Sequence, residues 1–87
     1  MAQLIQPDGT VTRVAPHGAA QFTLPELHAL IEATTIEIVK TKGRTLFLVI
    51  DEEGRGKRRP YNRAATALYG RGMIVGPALL CHRSEIR

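Results

Sequence analysis

Arg58-Arg59-Pro60-Tyr61-Asn62-Arg63 is a cationic loop that runs directly into the helix-forming stretch Ala64-Ala65-Thr66-Ala67-Leu68-Tyr69, which Gly70 ends. The chemistry this spacing offers is anion binding. Asn62 is placed as an N-cap, its side-chain oxygen accepting from a first-turn N–H. The remaining free N–H groups carry partial positive charge, and Arg58, Arg59 and Arg63 add full charges beside them. Tyr61 and Tyr69 supply flat rings on which a base could stack. The expected ligand-binding residues are therefore Arg58, Arg59, Tyr61, Asn62, Arg63 and Tyr69. The competing reading is a capped surface helix whose arginines are solvated or paired with the preceding Asp51-Glu52-Glu53.

Charge concentrates around that loop. The net charge is +4, and between Gly54 and Arg71 stand Arg55, Lys57, Arg58, Arg59, Arg63 and Arg71 with no acid among them, half of the 12 cations of the chain. Such a cluster holds phosphates, guides an acidic partner, or keeps a small protein in solution.

Catalytic and metal-binding patterns are poor. His17, His28 and His82 are far apart and lack metal-ligand spacing, and Cys81 lies in an apolar run, where a thiol behaves as a small hydrophobe. Cys81 and His82, as neighbours on a strand, point to opposite faces and cannot work as nucleophile and base. Asp51-Glu52-Glu53 reads as a solvated turn rather than a cation site. Gly54-Arg55-Gly56 lacks the trailing Lys-Ser/Thr of a phosphate-binding loop. The residues imply no enzyme, no cofactor and no metal.

The elements that must position the cationic loop can be read in order. At 87 residues, the chain makes a single domain, 1–87, that buries only about 60% of its unfolded surface. Its hydrophobic fraction of 44% is that of a globular protein, and no apolar run reaches the ~20 residues of a membrane helix. With no signal-peptide pattern and a single cysteine, a reducing cytoplasm is the expected location.

Residues 3–6 and 10–14 are short extended runs joined by Pro7-Asp8-Gly9, the composition of a bulged hairpin turn. Residues 16–21 form a loop, and Thr23-Leu24-Pro25-Glu26 has capping-box spacing, so a helix starts there with Leu24, Leu27, Leu30 and Ile31 as its apolar stripe. Residues 35–40 and 45–50 form a second hairpin about Lys42-Gly43-Arg44. Leu46 to Ile50 is apolar on both faces, which predicts a central strand covered twice, the second time by another subunit. A last apolar strand covers 73–81, interrupted by a bulge or edge at Gly76-Pro77, and 83–87 is a polar tail. The order β-β-α-β-β-α-β predicts an α+β fold, a small mostly antiparallel sheet with one main helix on a face and a short second helix.

These residues carry a resemblance. Ile5-Gln6-Pro7-Asp8-Gly9-Thr10-Val11, Phe22-Thr23-Leu24-Pro25-Glu26-Leu27, Ile36-Glu37-Ile38-Val39, Asp51-Glu52-Glu53-Gly54, the Asn62 to Gly70 helix and Ile74-Val75-Gly76-Pro77-Ala78-Leu79-Leu80-Cys81 together resemble a family of small uncharacterised proteins common in bacteriophages, plasmids and integrated elements. The resemblance spans nearly the whole chain and implies one compact domain in a mobile-element setting, with no catalytic residues to transfer. Arg55 to Arg59 is more basic here than the milder loop of such proteins.

Three functions from different classes follow as expectations. The first is a non-enzymatic binding protein that captures a small anionic, nucleotide-like host molecule, as a homo-oligomer. The second is a nucleic-acid-binding accessory protein using the same basic edge, although two Phe and two Tyr are few aromatics for it. The third is a host-protein inhibitor or assembly module that uses the apolar strand from Met73 to Cys81.

Overall fold

The computed structural model describes residues 2–18 and 20–86. Ala19 of the expected loop and Arg87 of the expected tail lie outside the described residues. Five strands, β1 (Ala2–Ile5), β2 (Val11–Val14), β3 (Ile36–Lys40), β4 (Leu46–Asp51) and β5 (Ala78–His82), form one sheet in the order β2-β1-β5-β4-β3. Every neighbouring pair is antiparallel. With helices α1 (Leu24–Ile31) and α2 (Arg63–Tyr69), the fold is α+β.

Local chemistry sets each element. In the first hairpin, Asp8 Oδ1 accepts from the Thr10 N–H at 2.8 Å, and Gly9 takes φ 94°, a conformation closed to most side chains. α1 opens with a complete capping box between Thr23 and Glu26, and Glu26 also accepts from the His17 N–H at 2.6 Å. Leu27 and Ile31 of the expected stripe are buried, whereas Leu24 is 57% exposed at the first turn.

Alternation along the strands divides the interior into two cores. Ala2, Val49, Leu79 and Cys81 face α1, where they pack with Phe22, Leu27 and Ile31. Leu48, Ile50 and Ala78 face the other way, against Ala65 of α2 and Ile74 of the segment that follows it. β4 is thus covered twice, as its composition demands. The second cover, expected from another subunit, comes from α2 and Ile74 of the same chain, which pack on the inner stretch of β4 from that side.

The last apolar run differs from expectation. β5 begins only at Ala78, because Gly76 turns the chain at φ 76° and donates its N–H to Pro60 O at 2.7 Å. Residues upstream of the turn leave the sheet and make an isolated bridge, Tyr61 to Val75. Ile74, Val75, Gly76, Pro77, Ala78, Leu79 and Cys81 are all buried, so the segment expected to offer an apolar contact forms interior instead. The polar tail is also tied down: residues 83–85 form a 3-10 turn, and Ile86 is buried and bridged to Phe22, whose N–H donates to Glu85 O at 2.7 Å.

Candidate functional site

The cationic stretch separates into two groups at opposite ends of α2. At the start of the helix, Asn62 is fully buried and uses every atom of its amide. Its Oδ1 accepts from the Ala65 N–H at 3.1 Å, and its Nδ2 donates to Ile5 O and Gly76 O, each at 2.9 Å. Asn62 therefore pins α2, the end of β1 and the Gly76 turn to one another. The Thr66 N–H is taken by Asn62 O. Asn62 thus caps the helix through Ala65, as expected, and Thr66 N–H makes the first bond of the helix ladder.

Arg59 is likewise committed to the fold. Its Nη1 donates to Ile31 O at 2.9 Å and Glu32 O at 3.2 Å, closing the C-terminal end of α1, and to Asp51 Oδ2 at 2.9 Å. Lys57 meets the same oxygen at 2.9 Å. The Asp51 side chain is fully buried, and the Glu53 N–H donates to its other oxygen at 2.9 Å. Burial by itself raises the carboxyl's pKa. The bonds from Lys57, Glu53 and Arg59 outweigh it and hold Asp51 below its ordinary 3.8. Internal pairing with Asp51 is thus real for two of the cations.

The other expected residues at this end are exposed. Arg58 has φ 57° and, with Tyr61 and Arg63, lies on the surface. Tyr61 borders a shallow depression with Gln6, Pro7, Asp8 and Pro60, and Arg63 a second one with Pro7, Asp8 and Ala67. The carboxylate of Asp8 and the apolar lining make neither depression a strong anion site.

Tyr69 points elsewhere. It lines a cleft of about 300 Å³ at the C-terminal end of α2, between the β3 edge of the sheet and the Asp51–Arg55 loop. Arg71 lies over the Tyr69 ring at 5.2 Å from its centroid and donates to Lys40 O at 2.6 Å. Arg55 donates to Met73 O at 3.3 Å. Gly72 forms the floor between them: a Cβ there would stand 3.6 Å from Tyr69 Cε2 and 4.0 Å from Arg55 Nη2. Glu37 and Glu52 stand in the same wall, and Glu52 is anchored by its N–H to Thr35 O at 3.1 Å.

Arg55 and Arg71 were not singled out from the sequence as ligand-binding residues, though both belong to the basic stretch. The available signal was the spacing of Tyr69 and Arg71 across Gly70, a ring and a guanidinium two residues apart on either side of a helix-ending glycine at φ 73°. Among the described residues each guanidinium makes one hydrogen bond to a backbone carbonyl and no ion pair, which leaves most of its N–H donors without a partner among them. Chemically the cleft can hold a planar or ring-bearing molecule with an anionic group between the arginines.

Among the described residues, no group of three His, Cys, Asp or Glu is placed to hold a metal ion. No helix among them is long and apolar enough to cross a membrane. Neither a curated protein nor a solved structure matches the chain. The domain of unknown function DUF3846 matches residues 2–86, and with the hairpin, the capped helices and the Gly76 turn all inside the matched span, the chain belongs to that family.

Proposed function

We propose that this is a small non-catalytic binding protein of a phage- or plasmid-type element that captures an anionic, nucleotide-like host molecule, and that the cleft of Arg55, Tyr69 and Arg71 holds it. The observation that carries this reading is the convergence of two guanidiniums, without ion pairs among the described residues and each oriented by one backbone carbonyl, on a cleft walled by an aromatic ring. A guanidinium oriented in advance loses little freedom when it meets a phosphate, and its fork matches two phosphate oxygens. The α2 start contributes less than its sequence promised, because Asn62 and Arg59 are held inside. Arg58 and Arg63 extend the positive field around the molecule rather than form the contact.

Calorimetric titration of the full chain with a panel of nucleotides tests the reading. A nucleotide is expected to bind, its affinity falling with added salt, and Arg55→Ala with Arg71→Ala should weaken it at least 100-fold, two charge-assisted bonds at about 1.5 kcal/mol or more each. An Arg58→Ala, Arg63→Ala variant should lose less than 10-fold. Undiminished binding by the Arg55→Ala, Arg71→Ala protein would contradict it.

A further inference from the structure

The cleft does not have the lining of a general anion trap. Glu37 stands on β3 and Glu52 directly after β4, both exposed and neither side chain with a hydrogen bond or ion pair among the described residues, and both line the same cleft as Arg55 and Arg71. A ligand that carried only negative charge would gain from the arginines and lose against the carboxylates. The lining fits a molecule with two different ends, one anionic for the guanidiniums and one bearing hydroxyl or amino hydrogens for the carboxylates, which in hydrogen bonds act only as acceptors. Its volume, about 300 Å³, is at the small end of ligand sites, the scale of a single phosphorylated nucleoside or sugar.

Resting on the functional reading above, we infer that the ligand is a phosphomonoester with a donor-rich end, and that Glu37 and Glu52 are its specificity-determining residues: Arg55 and Arg71 take the phosphate, and the two carboxylates accept from hydroxyl or amino groups at the far end. Gly72 keeps the space between Tyr69 and Arg55 open. Its backbone is not in the left-handed region, and a Cβ there would lie in contact with both Tyr69 and Arg55, so a larger side chain narrows the space between them.

The test is calorimetric titration of the full chain and its variants with adenosine 5′-monophosphate, ribose 5-phosphate and inorganic phosphate. The parent protein should bind at least one of the two phosphomonoesters 10-fold or more tighter than inorganic phosphate. Preference for the nucleotide places the read donors on the base, and equal affinity for ribose 5-phosphate places them on the sugar; both support the inference. In Glu37→Gln, Glu52→Gln protein, the phosphomonoester should weaken about 10-fold while inorganic phosphate binds as well or better. Gly72→Val, which crowds both Tyr69 and the Arg55 guanidinium, should weaken the phosphomonoester, with an unchanged melting temperature showing that the fold is intact. If neutralising the two glutamates tightens every anion alike, they only repel and the inference fails, although the anion-binding reading stands. If none of the three compounds binds, or Arg55→Ala, Arg71→Ala binds them as the parent does, the reading itself fails and the inference with it.

Discussion

Replacing Asn62 separates a structural latch from a simple helix cap. Asn62→Ala removes the cap on Ala65, worth about 1 kcal/mol, and the two donations to Ile5 O and Gly76 O, worth about 1 kcal/mol each. The loss is about 3 kcal/mol, a large share of the 5–15 kcal/mol that holds an ordinary domain together. In urea, with a slope of about 1 kcal/mol per molar for so small a chain, the midpoint should fall by roughly 3 M. Asn62→Asp is the sharper variant. Asp caps helices as well as Asn does, so a cap alone would leave stability unchanged. The structure instead places a second carboxylate oxygen against two carbonyl oxygens in a site with no exposure, and the Asp protein should be at least as unstable as the Ala protein. Equilibrium unfolding followed by far-UV circular dichroism measures both. A stable Asn62→Asp protein would refute the latch.

Arg59→Ala should cost about 2–3 kcal/mol, because it strips the C-terminal carbonyls of α1 and one partner of Asp51, whereas Arg58→Ala should shift the melting temperature little; thermal unfolding of the two variants makes the comparison. Cys81 should react with a thiol reagent only as the protein unfolds: burial, with a smaller push from the charge of Glu85, raises its pKa to about 11, so almost no thiolate exists at pH 8, and rapid labelling of native protein would contradict the packing. Asp51 sets an acid limit: a carboxyl whose folded pKa is below its ordinary 3.8 adds stability that is complete above that value and is lost as pH falls through the folded value. Melting temperatures should therefore hold from neutral pH down to about 4 and drop below it, and Asp51→Asn should start lower and drop less steeply.

What could be read from the residues alone was local. The Asp8-Gly9 turn, the Thr23–Glu26 capping box and the β-branched hairpin announce themselves because their causes lie within a few residues. Asn62 was legible as a cap for the same reason. Its two other bonds reach Ile5 and Gly76, 57 and 14 positions away, and no short-range pattern signals them. Arg59 looked like a free charge because its partner carbonyls are backbone groups of Ile31 and Glu32, which carry no sequence mark. The run from Met73 to Cys81 read as one strand since apolar composition is blind to a turn like that at Gly76, which lifts the first half out of the sheet to cover β4. The cleft was hidden for the most basic reason, that Glu37, Glu52, Arg55, Tyr69 and Arg71 meet only once the β3–β4 hairpin and α2 have packed.

The most direct test of the account is where a ligand lands. A ¹H–¹⁵N correlation titration of the full chain with adenosine 5′-monophosphate reports each backbone amide separately. The account expects the largest shifts at Glu37, Glu52, Arg55 and residues 69–73, with Arg58, Tyr61 and Arg63 nearly still. Shifts centred on residues 58–63, or none at millimolar nucleotide, would contradict it.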